Sequence, residues 1–305
     1  MTSLNFLLRP VAYINSCLQR TRKLPQSLIT YSGGWDGGGA QVHSIISILL
    51  FAHEFGLKYI HTPLANVEHF KESRDEWSLK WENFFNLGFE ECQIDNLDPK
   101  LTKSNIRRSL LLWKKPETLF VIRNCHSYTD SFASNYCSII PALKRKYNQT
   151  EKKSIDFIPG KLRVCLHIRR GDVSNKNKQA FRFTPDPRIL QDLDFLFEIL
   201  NDSKRNYQLY IFSQGDSASF NAYSKHNPVL LLNVDEFVTF HSLVQADILF
   251  TAKSSFSYVA GLLTAGLVLY EPFWHKPIKG WLNRGMDKKE LKKKILQQKN
   301  IHFPK

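Results

Sequence analysis

Short apolar runs alternate along the chain with longer stretches of helical periodicity. Residues 28–31 lead into Ser32-Gly33-Gly34-Trp35-Asp36-Gly37-Gly38-Gly39 and then the apolar run 42–55, which reads as strand, glycine loop, helix. A strand over 59–62, a helix over 77–85 and a strand over 119–123, after Pro116, follow. The polar, basic stretch 144–153 is the best linker. Beyond it the pattern predicts a buried strand at 162–168, a helix at 187–200, and strands at 208–212, 229–233 and 247–251. A loop running into a helix at 254–263, a strand at 268–270 and a basic closing helix at 286–298 complete the series. Such alternation predicts α/β layers with parallel strands. The natural reading is two Rossmann-like halves, 1–154 and 155–305, facing a cleft, with ligand at the carboxyl ends of the strands.

Length and composition agree with this picture. A chain of 305 residues, 43% of them hydrophobic, exceeds the usual ~100–200 residues of one domain. An aromatic share of 13% excludes a disordered or fibrous protein, and no self-similar period is visible. The 42 basic residues against 28 acidic ones give a net charge of +14, which points to an anionic partner: nucleic acid, an acidic membrane surface or a phosphorylated substrate. The excess is dispersed over 20–23, 100–108, 144–153 and 288–294, so solvated surface accounts for any single run equally well.

Cys17, Cys92, Cys125, Cys137 and Cys165 are odd in number and widely spaced, signalling neither a disulfide framework nor a zinc site; a reducing, cytoplasmic setting fits. The apolar run 4–8 is broken by Arg9 and Pro10, far short of the ~20 residues of a membrane span, so a soluble chain is expected. Peripheral contact with an acidic membrane surface stays open.

The sharpest chemical signal is Val164-Cys165-Leu166-His167-Ile168-Arg169-Arg170-Gly171-Asp172. A buried strand here delivers a histidine, two arginines and an aspartate at its carboxyl end. Arginine forks match phosphate oxygens bidentately and stay charged at every working pH, so a pyrophosphate is the obvious partner. The alternative is an Arg–Asp pair, such as Arg170 with Asp172, that pins a loop.

His-x-Arg-Arg-x-Asp after a strand resembles the first characteristic motif of the α1,2-, α1,6- and protein O-fucosyltransferase superfamily. Phe240-His241-Ser242-Leu243-Val244-Gln245-Ala246-Asp247, followed by Ser254-Ser255-Phe256-Ser257, is similar to that superfamily's second motif and its Ser-Ser loop. Gly39-Ala40-Gln41-Val42-His43 is similar to its glycine loop. The resemblance implies a GT-B fold and an inverting, metal-independent transfer of fucose from GDP-fucose to a carbohydrate or other hydroxyl acceptor. It places His167 near the nucleotide, Arg169 on the β-phosphate and Arg170 in support. Ser254, Ser255 and Phe256 fall at the same phosphates, where a serine turn opening a helix is an anion site in any case. Gly38, Gly39, Ala40 and Gln41 fall on the opposite lip, in the half 1–154 that the resemblance makes the acceptor side, opposite the donor-nucleotide half 155–305; a glycine loop there lets backbone approach ligand closely, and Gln41 and His43 read equally well as helix-packing residues. The expected catalytic set is Arg169, Arg170 and Asp172, with no cofactor and no metal beyond the GDP-sugar substrate.

Two positions depart from the family. The loop 173–184 lacks the carboxylate that the α1,6 enzymes place there, leaving Asp36 and Asp172 as the nearby carboxylates. Thr239 stands where those enzymes have an aspartate for guanine, with Asp235 and Glu236 as substitutes. Asp247 reads as structural, and His241 as a core or capping histidine as much as a ligand.

Asp192-Leu193-Asp194 matches the Asp-x-Asp signature of manganese-using transferases. It lies in a helical pattern, where residues two apart face different ways and cannot chelate one ion; a solvated helix surface is the expectation. Pro272-Phe273-Trp274-His275 and Trp281 read as a sugar-stacking edge or, more simply, as packing aromatics. The rival readings are a transferase for another nucleotide sugar and a non-catalytic polyanion or nucleic-acid binder. Nucleic acid is disfavoured because no aromatic-basic interleaving accompanies the charge.

Overall fold

The structure, a computed structural model, describes residues 27–97, 102–104 and 118–297. The run 4–8, Cys17, the basic run 20–23, most of the run 100–108 and position 298 lie outside the described residues. The chain divides into two compact units, Met1–Thr150 and Glu151–Lys305.

The first unit is built on β1 (Leu28–Tyr31), α1 (Gly38–Phe55), β2 (Lys58–His61), α2 (Arg74–Phe85), β3 (Cys92–Gln93), β4 (Thr102–Ser104) and β5 (Thr118–Ile122). Short helices α3 (His126–Thr129) and α4 (Ile140–Tyr147) close it. Its five strands pair in the order β3-β2-β1-β5-β4, each pairing parallel. Ser73 caps α2 by accepting from the Glu76 amide, while the Glu76 carboxylate accepts from the Ser73 hydroxyl at 2.6 Å.

The second unit contains β6 (Leu162–His167), α5 (Asp186–Asp202), β7 (Tyr207–Ser213), β8 (Val229–Leu232), α6 (Glu236–Val244), β9 (Ile248–Phe250), α7 (Ser255–Leu263), β10 (Leu267–Tyr270), β11 (Leu282–Asn283) and α8 (Lys288–Gln297). All pairings are again parallel, in the order β11-β10-β9-β6-β7-β8. Counted from β6, this is the doubly wound order, which reverses between β6 and β9. Val164, Leu166, Leu209, Ile211, Ile248 and Phe250 fill the core with Ile189, Leu193 and Leu196 of α5. The expected α/β class with two parallel-sheet units is what the structure has.

Three expectations are corrected. The glycines at 38 and 39 form the first turn of α1 and not a loop; Gly38 is small where the Trp81 ring of α2 crosses, and a Cβ there would overlap that ring. The linker 144–153 begins inside α4, where Lys146 is buried and held by Glu91 at 2.8 Å. Asp192 is not solvated: it is 4% exposed, on the face of α5 turned toward the rest of the unit. Arg284 Nε at 2.9 Å, Lys288 at 2.8 Å and Arg188 at 3.2 Å surround it. Burial raises the Asp192 pKa, but Arg284, Lys288 and Arg188 outweigh it and hold the carboxyl below its usual range. Asp194 faces Lys225 and His226 instead, so the two carboxylates do point apart as expected.

Candidate functional site

The reversal point between β6 and β9 is where an open α/β sheet leaves a crevice at its carboxyl edge. Both sequence signals arrive there. The chain leaves β6 through Arg169 and Arg170, turning at Gly171, whose φ of +78° favours glycine. It leaves β9 through Ser254, which caps α7 by accepting from the Phe256 amide. Arg169 Nη1 donates to Ser254 Oγ at 3.0 Å, joining residues 85 apart in sequence.

The other edge of the Arg169 fork, Nη2, donates to Asp172 Oδ2 at 2.6 Å, and its buried Nε has no protein acceptor. Arg170 differs. Its Nη1 donates to the Arg169 carbonyl, its Nη2 donates to the Thr184 carbonyl and to Asp186 at 2.6 Å, and its guanidinium lies 4.2 Å from the centre of the Phe183 ring. The Arg–Asp pair anticipated between Arg170 and Asp172 is therefore made by Arg169, because Arg170 turns toward the start of α5. Arg170 fastens the loop 172–184 to the sheet.

His167, the last residue of β6, is half-buried overall, with Nδ1 enclosed and unpartnered and the ring 5.6 Å from Phe256. Burial, and after it the charge of Arg169, pushes its pKa down to about 3, so the imidazole is neutral. Phe256 in turn meets Phe240 edge-on at 5.2 Å. Ser255 is the first residue of α7.

His167, Arg169 and Arg170 surround a hollow of about 10 Å³, with Arg182, Thr184, Thr251 and Arg284 completing its wall. That is room for roughly one water molecule. The Thr184 hydroxyl is buried without a partner. Arg182, Thr184, Thr251 and Arg284 were not legible as site residues: they come from a loop, a strand end and the segment after β11, and no local pattern connects them. A larger hollow, about 270 Å³, opens at the amino ends of β6 and β7 beside Lys161, Arg205 and Gln208. Doubly wound sheets bind at the carboxyl edge, so the smaller one marks the candidate site.

Among the remaining residues, Asp235 caps α6, its Oδ1 accepting from the Phe237 and Val238 amides. His241 accepts or donates to Gln245 at 2.9 Å, and Asp247 grips Arg163 bidentately at 2.7 and 3.0 Å, a structural pair as expected. In the first unit, the Gln41 amide donates to the carbonyls of Asp36 and Asn66 while its oxygen accepts from Tyr31, the packing role that its burial in α1 requires. Gly39 and Ala40 share the first turn of α1 with Gly38.

No family model and no curated protein matches the chain. Among solved structures, the chain is similar to NodZ alpha-1,6-fucosyltransferase co-crystallized with GDP, at 12% identity and a TM-score of 0.41, over 81% of this chain and 95% of that one. The same enzyme soaked with GDP-fucose is matched at 11% identity and a TM-score of 0.42, over 83% and 100%. Selenomethionine-labelled fucosyltransferase NodZ from Bradyrhizobium is matched at 10% identity and a TM-score of 0.42, over 83% and 96%. The likeness assigns no residue and no activity to this chain. Among the described residues, no helix is long and apolar enough to cross a membrane.

Proposed function

We propose that the protein is an inverting glycosyltransferase that takes fucose from GDP-fucose to a hydroxyl acceptor. The observation that carries this reading is the meeting of Arg169 with the Ser254 cap at the switch point, on the motif spacing that resembles the fucosyltransferases. A guanidinium edge, a serine hydroxyl and a helix N-terminus form a preorganised receptor for a diphosphate.

In the reaction, the acceptor oxygen bonds to the anomeric carbon as the bond from that carbon to the diphosphate oxygen breaks. The electron pair stays on the departing diphosphate, whose growing charge Arg169 and Ser254 stabilise. Asp172 is the carboxylate at hand for the acceptor's proton. Neutral His167 adds no charge to the site and offers the nucleotide a hydrogen-bonding edge. These groups supply the counter-charge without a metal. A second reading keeps the same chemistry with another nucleotide diphosphate sugar; it is favoured by Thr239 and by the commitment of Asp235 to capping α6, which leave Glu236 alone as a substitute for the expected guanine reader.

The test is binding and turnover in one protein. GDP should raise the melting temperature in a concentration-dependent manner in the presence of EDTA, because a ligand of the native state alone stabilises it. GDP-fucose should be consumed under the same conditions. Arg169→Lys, which keeps charge but loses the fork, should lower turnover by roughly 10²–10³-fold with the melting temperature unchanged. Chelation that abolishes turnover, restored by Mn²⁺, would remove the metal-free reading. Stabilisation by UDP-sugars in place of GDP would select the second reading.

A further inference from the structure

Next to the anion-binding groups, the second unit carries an aromatic surface that the chemistry above does not use. Phe181 is 58% exposed and Trp274 42% exposed, yet their ring centres lie only 5.5 Å apart. The Arg182 guanidinium lies over both, 5.5 Å from the Phe181 ring and 5.1 Å from the Trp274 ring. Trp274 is braced from behind by Phe273, edge-on at 4.8 Å, and by His275 at 6.0 Å. Its indole is therefore held in place while a large part of it faces solvent.

The neighbouring tryptophan shows the contrast. Trp281 packs on Tyr258 at 4.8 Å and against Gly261, where a Cβ would meet its ring at 2.8 Å; it is a packing residue. The segment read from sequence as either sugar-stacking or packing thus separates into one of each. Arg182 also lines the hollow shared by His167, Arg169 and Arg170, so the aromatic surface is continuous with the candidate anion site.

Two mounted aromatic rings with one guanidinium against both select a particular chemistry. A simple anion would be served by Arg182 without exposed rings. A wholly apolar ligand would have to desolvate the guanidinium without hydrogen bonds in return. A pyranose satisfies both: its C–H face lies on an indole or phenyl ring, while its hydroxyls accept from arginine. We propose that Phe181, Arg182 and Trp274 form a shelf for a pyranose ring of a neutral saccharide, and that this saccharide is the acceptor of the transfer. Its role as acceptor rests on the glycosyltransferase reading; saccharide binding by the shelf does not.

The test is fluorine NMR of the full chain labelled with 5-fluorotryptophan, with the Trp274 resonance assigned from Trp274→Phe. Cellotetraose, N-acetyllactosamine and mannotriose are titrated separately into the millimolar range, and guanosine monophosphate is titrated as the nucleobase control. At least one saccharide should shift the Trp274 resonance saturably and leave that of half-buried, packed Trp281 in place. Phe181→Ala, with a wild-type melting temperature, should weaken that binding about tenfold, the equivalent of ~1.4 kcal/mol.

If none of the three saccharides moves Trp274, or if guanosine monophosphate moves it and they do not, the shelf proposal is overturned; the second result assigns the rings to a nucleobase. GDP binding without any saccharide shift removes the shelf and leaves the donor reading standing. A saccharide shift without GDP binding does the reverse.

Discussion

Arg169 holds Asp172 at 2.6 Å with one edge of its guanidinium and Ser254 at 3.0 Å with another nitrogen. A diphosphate arriving at this fork must share it with, or take it from, the Asp172 carboxylate. The pair is only partly shielded, so its strength is that of an exposed ion pair, ~0.2–1 kcal/mol. Asp172→Asn should therefore tighten GDP binding by up to about fivefold while lowering turnover, provided this carboxylate also takes the acceptor's proton. Calorimetric titration with GDP beside a turnover assay decides the matter. Weaker GDP binding in a folded Asp172→Asn protein would mean that the carboxylate positions Arg169 and does not compete with the ligand.

The neutral state of His167 has a consequence for stability. With the folded pKa near 3 and an ordinary histidine value of about 6.5 in the unfolded chain, the unfolded state binds the extra proton between those two values. Stability should fall as pH drops below about 6.5, by up to ~1.4 kcal/mol per pH unit from this residue alone. Urea denaturation at pH 7, 6 and 5 should show a shallower decline for His167→Gln than for the natural chain. Parallel declines would show that His167 contributes nothing to the acid sensitivity.

Gly38 supplies a test in which two principles give opposite signs. Replacing a glycine inside a helix by alanine ordinarily stabilises by ~1 kcal/mol. Here the added methyl would overlap the Trp81 ring, which is part of the packed face of α2. Gly38→Ala should instead destabilise by ~1–3 kcal/mol, read as a lower denaturation midpoint, and Trp81→Leu should relieve most of that penalty in the double variant. A stabilised Gly38→Ala protein would show that α1 and α2 do not pack this closely.

Arg284 lies between two buried carboxylates, Asp192 at 2.9 Å and Glu271 at 3.1 Å, and donates to the Thr251 carbonyl at 3.3 Å. Arg284→Met would leave both acids without their shared cation and should cost ~3–5 kcal/mol of stability, measured by urea unfolding. Replacing Glu271 by glutamine in that background should restore part of the loss, because Asp192 keeps Lys288 and Arg188. A loss below ~1 kcal/mol for Arg284→Met would indicate that water reaches the network.

What the sequence determined by itself is what local pattern encodes. The strand expected over 162–168 is β6, Leu162–His167, and Arg169 and Arg170 fall at its carboxyl end because the apolar run stops after Ile168. Ser254 is legible as a helix start since serine favours the cap position. Strands β3, β4 and β11, of two or three residues, carry too little alternation to be read, and α1 begins four residues before the expected start because glycines read locally as loop.

The tertiary structure decided which partner each charge takes. Nothing in Arg169-Arg170-Gly171-Asp172 says that the first arginine takes the aspartate and the second reaches Asp186; the direction of the chain after Gly171 does. Asp192 lies in a helical pattern that reads as surface, and is met there by Arg284 and Lys288 from 92 and 96 residues away. Such pairings depend on which strand ends the sheet order brings together, and strand order is a property of the whole chain that no window of neighbouring residues contains.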